Sequence, residues 1–189
     1  MILAELFSVR VGPLQSRISE SFEDGAPIYK LYGQSDAEED LYGIESETAE
    51  NKQLRTRDEV AQLETGDLTY NLISGTAVIV GEQHAGYIYT QNIAILTPLK
   101  KIDKKFFVYL LNEDSTIRRQ LLTGLQGSKV LKHTVGQIRS LELPKLPARE
   151  RQEIIGELYY KQLKLQSLRV RRAKKETGLR FAQLERARK

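Results

Sequence analysis

The sequence predicts an α+β fold, in which a mixed-strand domain is followed by a long C-terminal helix. Residues 1–98 hold short apolar runs, rich in β-branched and aromatic residues and separated by glycines, which is typical of strands. From Asp103 the apolar residues recur at helical spacing. Residues 148–189 contain no proline and are rich in strong helix formers. We therefore expect a domain over residues 1–147 and a helix over residues 148–189.

The clearest strand signals lie between Gly66 and Pro98. Gly66 begins a turn that leads into an apolar run, Gly75 precedes a second run, and Pro98 stops the last one. These runs predict four strands, over residues 68–72, 76–80, 87–89 and 93–96.

Two helices and a short helical turn are predicted next. Phe106, Phe107, Leu110 and Leu111 have the spacing of one helix face. Ser115 is expected to cap the second helix and Thr134 the short turn, because hydroxyl side chains accept hydrogen bonds from free N–H groups at helix starts. Between these two helical segments, glycines bracket an open loop over residues 125–133.

The long helix carries an imperfect apolar stripe. Its members are Ile154, Leu158, Leu165, Leu168, Leu179 and Ala182, and the cations Lys161, Arg172, Lys175 and Arg186 interrupt it. A helix of about 40 residues would be about 60 Å long, which is too long to bury itself on one small domain. The stripe therefore predicts a partner helix.

Charge is unevenly distributed along the chain, whose net charge is +4. Residues 148–189 hold 13 Lys or Arg and 5 Asp or Glu, a net charge of +8, so the other residues sum to −4. Residues 99–139 are locally rich in cations and are the expected place for a polyanion. The chain has no cysteine and no run of the roughly 18 apolar residues that a membrane span needs. We expect a cytoplasmic protein.

No catalytic site can be assembled from the sequence. The five prolines are never adjacent, so the paired prolines expected of an adenine methyltransferase are missing, and residues 124–129 do not satisfy the phosphate-loop pattern. Neither histidine has a second histidine at metal-ligand spacing. His84 is expected to be exposed in its turn, and the acidic stretch 36–50 to be a solvated loop. We therefore expect a recognition domain that binds no metal or cofactor itself.

Several ordered stretches together resemble a known family. They are Gly66–Leu72, Tyr89–Leu96, Phe107–Asn112, Ile117–Leu122, Gln126–Ile138 and the proline-spaced Leu143–Ile154. Their order and spacing, over most of residues 60–160, are similar to the DNA-specificity subunit of type I restriction–modification enzymes.

This resemblance implies that residues 1–147 are a DNA target-recognition domain, and that residues 148–189 serve dimerisation and methyltransferase docking. The family's usual subunit has two such domains and two long helices that pack antiparallel, so this chain resembles a half-subunit that pairs as a homodimer. The implied partners are double-stranded DNA, methyltransferase subunits that carry S-adenosylmethionine, and a restriction motor subunit. The implied interface residues are Ile154, Leu158, Leu165, Leu168 and Leu179.

The resemblance also directs attention to polar residues that could contact DNA. Lys129, Lys132 and His133, on the open loop, are candidates for phosphate contacts. Arg55, Arg57, Asn71, Gln91 and Asn92 are candidates for base edges, since arginine prefers guanine and carboxamides prefer adenine. For Gln91 and Asn92 an alternative stays open, in which their side chains bond the backbone at a strand start.

Two other functions remain open from the sequence. A truncated, decoy-like protein would bind the methyltransferase through its helix without reading DNA, and the acidic balance of the domain favours that alternative. A small metal-dependent nuclease is the third possibility. The base sequence that is recognised cannot be predicted, because loop contacts and DNA shape decide it jointly.

Overall fold

The computed structural model describes residues 1–45, 52–123 and 132–188, and its elements confirm the α+β class. The strands are β1 (Phe7–Val11), β2 (Ile28–Lys30), β3 (Gln53–Arg55), β4 (Leu68–Asn71), β5 (Thr76–Ile79) and β6 (Ile93–Pro98). The α-helices are α1 (Gln34–Tyr42), α2 (Lys104–Glu113), α3 (Ser115–Thr123), α4 (Val135–Ser140) and α5 (Arg149–Arg188). Short 3-10 turns span Leu3–Glu5, Gln15–Arg17 and Glu82–His84.

Four strands form one antiparallel sheet in the order β1-β6-β4-β5, and β2 pairs with β3 in a separate antiparallel ribbon. Val9 lies opposite Leu96, and Tyr70 lies opposite Ala94. Asn112 covers the edge of β5, because its side chain accepts from Ala77 N at 2.7 Å and donates to Ala77 O at 2.9 Å. At Ala77, this edge strand therefore has no free backbone N–H or C=O with which to pair a strand of another chain.

Three of the four strand predictions are confirmed and one is wrong. The runs at 68–72, 76–80 and 93–96 form β4, β5 and β6 within one or two residues. The run at 87–89 is not a strand, since only Ile88 pairs there, in isolated bridges to Leu31 and Gln62. Ile88 is fully buried, so its apolar character reflects the core and not a sheet.

The predicted helix starts are confirmed at one position and corrected at another. Thr134 caps α4, accepting from Gln137 N at 3.1 Å. At α3, however, Asp114 is the capping residue and not Ser115, because Asp114 Oδ1 accepts from the N–H groups of Thr116 and Ile117. Either residue type suits a cap, so only the local backbone geometry distinguishes them.

The acidic stretch contains a helix instead of the predicted solvated loop. Its first part belongs to α1, in which Asp36, Glu39 and Asp40 are buried. Gly43 ends α1 in the left-handed region, at φ +62, where a side chain would be strained. Residues 46–50 of this stretch lie outside the described residues.

The first half of α5 packs on the domain, mainly against α2 and also against α1. Gly156 lies where α5 comes close to α2, and a Cβ added at Gly156 would be 2.6 Å from Phe106 N. Gln152 fastens the start of the helix by donating to Pro147 O at 2.9 Å, and Tyr159 donates to Glu113 Oε1 at 2.9 Å. Leu163 is the last apolar residue of α5 that packs against the core. Whether residues 148–189 form a separate unit stays a prediction.

Candidate DNA-reading surface

Four predicted DNA-contact residues meet at one end of the sheet, where β1 and β4 end and β6 begins. Lys132 Nζ donates to Asn92 Oδ1 at 2.8 Å and to Gln91 O at 3.3 Å. Asn71, the last residue of β4, immediately precedes Leu72, whose carbonyl oxygen accepts from His133 N at 2.8 Å. We call Asn71, Gln91, Asn92 and Lys132 the reading end; all four are half-buried.

The carboxamides of the reading end serve the backbone as well. Gln91 Oε1 accepts from Gln15 N at 2.9 Å, and Asn71 Oδ1 accepts from the N–H groups of Ile73 and Ser74. Asn71 Nδ2 donates to Gln34 Oε1 at 3.2 Å, which joins α1 to the same surface. For Gln91, the alternative in which its side chain bonds the backbone therefore holds in this structure. Base contact by these residues stays a prediction.

His133 lies beneath the reading end and not on it. Its side chain is 8% exposed, and its ring packs edge-on to Tyr70 with centroids 6.0 Å apart. Burial lowers the pKa of His133, so the ring is neutral near neutral pH and offers no charge to a phosphate. Phosphate contact by His133 therefore has no support in its placement, and Lys129 lies outside the described residues.

Arg55 and Arg57 lie on or beside the β2–β3 ribbon, with acidic partners of their own. Arg57 Nε is 2.9 Å from Glu23 Oε2, and Arg55 is 3.9 Å from Asp24. Within the described ranges, no hydrogen bond or ion pair joins either arginine to the reading end. Exposed ion pairs contribute little free energy, so DNA phosphates or bases could displace these carboxylates. DNA contact by both arginines stays a prediction.

A buried polar cluster around His84 holds α1 beside the sheet. His84 is 3% exposed, which contradicts the expected exposed turn. Its Nδ1 lies 2.9 Å from Asp40 Oδ1, and its Nε2 lies 3.4 Å from Glu39 Oε2 and 3.5 Å from Asp36 Oδ1. No group of residues able to hold a metal ion is found among the described residues. The cluster is an internal anchor for α1, whose first residue Gln34 reaches Asn71.

The burial of these carboxylates is the reason that the acidic stretch is not the predicted solvated loop. Burial raises the pKa of Asp36, although Gly33 N–H and His84 both favour its ionised form. Tyr32 donates to Asp40 Oδ2 at 2.8 Å, and burial together with Asp40 raises the pKa of Tyr32. Buried carboxylates need partners; here the main partner is 44 residues away in sequence, so local patterns could not reveal it.

The predicted interface stripe on α5 is exposed. Ile154 and Leu158 are 67% and 66% exposed, Leu165 and Leu168 are 42% and 48%, and Leu179 is 66%. On the opposite side of the same helix, Gln152 and Gly156 are buried against the domain. Among the described helices, none is long and apolar enough to cross a membrane. The stripe is thus an apolar surface that none of the described residues covers.

Several solved structures have a backbone similar to that of this chain. One chain, in a study of complex assembly and conformational transition of the type I R-M system, matches with TM-score 0.60 and 19% identity over 99% of this chain and 43% of its own. The HsdS subunit from Thermoanaerobacter tengcongensis gives 0.57 and 18% over 92% and 39%. The type I restriction-modification S subunit from M. genitalium gives 0.51 and 16% over 84% and 37%.

This chain spans about two-fifths of the length of each of these structures. No protein-family model and no curated protein matches it. The backbone of this chain nevertheless superposes on all three structures over 84–99% of its length. The resemblance stated from the sequence is confirmed at the level of structure: this chain has the fold of the specificity subunits of type I restriction–modification systems.

Proposed function

We propose that this chain is the sequence-reading, non-catalytic component of a cytoplasmic type I restriction–modification complex. The observation that carries the proposal is the shared fold over 99% of the chain, together with an apolar α5 stripe that the described residues leave uncovered. The reading end would contact double-stranded DNA. The methyl donor S-adenosylmethionine would be bound by partner methyltransferase subunits, and a restriction motor subunit could join the same complex.

The uncovered stripe supports the proposed pairing of two copies through α5. A closed dimer of identical chains is most commonly two-fold symmetric, so both copies would present the same reading end in inverted orientation. Two inverted readers bind two identical inverted half-sites, and the helix pair sets the distance between them. The proposed target is therefore a bipartite palindrome with an unread spacer.

Methylome sequencing tests this function directly. The chain is expressed with a type I methyltransferase subunit in a host that lacks any other specificity subunit. The expected result is methylation at two copies of one short sequence in inverted orientation around a fixed spacer. Deleting seven residues from the exposed half of α5, about two helical turns, should change the spacer and leave the half-sites intact. Asymmetric half-sites would contradict the homodimer, and no methylation in any such pairing would contradict the function.

Lys132 provides a test of the reading end itself. Lys132→Ala removes a cation and releases Asn92 Oδ1, so we expect weaker DNA binding and a salt slope smaller by about one unit. The measurement is DNA affinity as a function of salt concentration, by fluorescence anisotropy. Lys100→Ala is the matched control, because Lys100 is exposed beyond the opposite end of β6. Equal effects of both substitutions would place DNA elsewhere on the protein.

One observation favours the decoy alternative. The cations described at the predicted DNA contacts are engaged internally: Arg55 and Arg57 with carboxylates, and Lys132 with Gln91 and Asn92. A decoy would bind the methyltransferase through α5 with no DNA affinity that depends steeply on salt. The salt dependence of DNA binding by the wild-type chain and by Lys132→Ala distinguishes the two functions. A decoy makes no phosphate contacts, so its DNA affinity has no steep salt slope that the substitution could reduce.

A further inference from the structure

Asp40 fixes one nitrogen of the His84 ring as a hydrogen-bond donor. Asp40 Oδ2 accepts from the hydroxyl of Tyr32 at 2.8 Å, and Asp40 Oδ1 accepts from Gln83 Nε2 at 3.0 Å. Because both oxygens of Asp40 are acceptors, His84 Nδ1, which lies 2.9 Å from Oδ1, carries the hydrogen between them. The protonation of the ring is then decided at its other nitrogen, Nε2.

His84 Nε2 faces the oxygens of two further carboxylates. Glu39 Oε2 is 3.4 Å away and Asp36 Oδ1 is 3.5 Å away. Among the described residues, no hydrogen bond reaches Asp36 Oδ1, although that oxygen is buried. Without a hydrogen at this point, the lone pair of Nε2 would face the lone pairs of both oxygens away from water. One proton is therefore needed between His84 Nε2 and Asp36 Oδ1, bonded to one atom or the other.

The surroundings of this pair favour keeping the proton. Burial raises the pKa of Asp36, so its carboxyl gives up a proton less readily than an exposed one. Within the described ranges, no lysine or arginine forms an ion pair with Asp36 or Asp40. The titratable or charged side chains recorded around His84 are Asp36, Glu39 and Asp40 on α1, Tyr32, Tyr87 and, next to these two rings, Lys30 and Tyr160.

Asp36 links this proton to the reading end. Its second oxygen, Oδ2, accepts from Gly33 N at 2.7 Å and thereby caps the start of α1. Gln34 comes next, and its Oε1 accepts from Asn71 Nδ2 at 3.2 Å. If the proton is released to solvent, Asp36 Oδ1 and His84 Nε2 repel each other, and the start of α1 moves with Asp36. Gln34 then loses its contact with Asn71.

We propose that His84 and Asp36 share one buried proton and act as positioning residues, which hold α1, and through Gln34 also Asn71, in place at the reading end. Release of the proton frees the start of α1. This inference rests on the proposed function only in its DNA measurement, because the proton and the placement of α1 do not depend on what the reading end binds.

The shared proton fixes the sign of the pH dependence. In an unfolded chain, aspartate loses its proton near a pH of about 3.9 and histidine near about 6.5. Above about pH 6.5, only the folded chain holds the shared proton, so its stability falls as the pH rises. The raised pKa of Asp36 has the same sign, since a pKa that folding raises adds stability at low pH and loses it as the pH passes the folded value.

Asp36→Asn removes the need for the proton and keeps the contacts. The carboxamide oxygen can accept from Gly33 N, and the carboxamide NH2 can donate to Nε2 of a neutral His84. Urea unfolding of the full chain measures the effect above about pH 6.5, where the unfolded histidine is neutral. We expect the unfolding constant of the wild type to rise with pH more steeply than that of Asp36→Asn, by up to about tenfold per pH unit for one proton.

Glu38→Gln is the matched control for Asp36→Asn. Glu38 is exposed on the same helix, and its replacement removes the same charge while a carboxamide oxygen can still accept from Gln34 Nε2. The control should keep the pH profile of the wild type. Equal profiles for the wild type and Asp36→Asn would overturn the proposal, and so would equal changes in the two variants.

NMR of the wild-type chain gives a test that needs no substitution. The carboxyl carbon of Asp36 and the ring nitrogens of His84 should titrate together, with one midpoint above about pH 6.5, because groups that share a proton titrate as a pair. The side-chain amide signals of Gln34 and Asn71 should shift over the same pH range. A neutral His84 ring beside an ionised Asp36 at about pH 6.5 would contradict the shared proton.

DNA affinity at fixed salt concentration measures the effect on the reading end. Between about pH 6.5 and about pH 8.5, the wild type should weaken by about threefold or more relative to Asp36→Asn, because apparent affinity falls with the fraction of molecules that keep the binding conformation. The same pH dependence in both proteins would overturn the positioning role. If neither protein binds DNA at any pH, the proposed function is wrong, and the unfolding and NMR measurements still decide the shared proton and its link to Asn71.

Discussion

Replacing Leu165 and Leu168 together by glutamate should produce monomers and abolish methylation directed by this chain. Both leucines lie in the middle of α5, beyond Leu163, where the helix leaves the domain. Burying such side chains against a partner contributes on the order of 1.5–3 kcal/mol each. The substitution removes that contribution and opposes like charges in the helix pair. Light scattering on the purified chain gives the mass, and methylome sequencing gives the activity.

The matched control for this experiment is Gln162→Glu with Gln166→Glu. These glutamines are exposed on the same stretch of α5 but lie outside the interface stripe, so the same charge is added without removing a leucine. The control should keep the mass of the wild-type protein. An unchanged mass for the leucine variant would show that residues 165 and 168 are not at a contact between copies.

Gly156→Ala should lower the free energy of unfolding by about 1–3 kcal/mol, the usual cost of overpacking a tight contact. The added Cβ would lie 2.6 Å from Phe106 N, 2.7 Å from Asp103 Oδ1 and 2.7 Å from Lys105 Cβ, so α5 and α2 must move apart. Asp103 caps α2 through Phe106 N, which ties the clash to the start of that helix. Urea unfolding should show a lower midpoint at an unchanged slope.

Gly178→Ala is the same chemical change in the same helix, with the opposite expected effect. Nothing lies within 4 Å of a Cβ at Gly178, and alanine favours a helix over glycine by roughly 0.5–1 kcal/mol. Circular dichroism should therefore show equal or greater helicity, with no loss of domain stability. A Gly156→Ala variant that unfolds at the wild-type urea concentration would contradict the close crossing of α5 over α2.

Much of the fold could be predicted because its signals are local. The β4 and β5 runs are bounded by glycines, α4 begins at a capping threonine, and α5 follows from 40 residues without a proline. Such signals act within a few residues of the chain and do not depend on long-range tertiary contacts. The exposed stripe on α5 follows from helical spacing in the same way, since a stripe that the domain cannot reach stays uncovered.

The candidate site could be predicted only in part. Asn71, Gln91, Asn92 and Lys132 do meet, but their meeting depends on the antiparallel register of β4 with β6 and of β6 with β1. The sequence predicts His133 beside them because His133 follows Lys132 on the same loop. In the fold, adjacent residues point to different sides, so Lys132 bonds Asn92 while His133 packs on Tyr70.

By itself, the sequence determined the α+β class, the long α5 helix with its apolar stripe, and a set of polar residues that could read DNA, since these depend on composition and short-range spacing. The tertiary structure alone decided which polar residues are buried, which of them meet, and where α5 leaves the domain. Asp36, Asp40 and His84 show the reason: a charge can leave water only where the fold supplies a partner, and that partner is set by long-range packing.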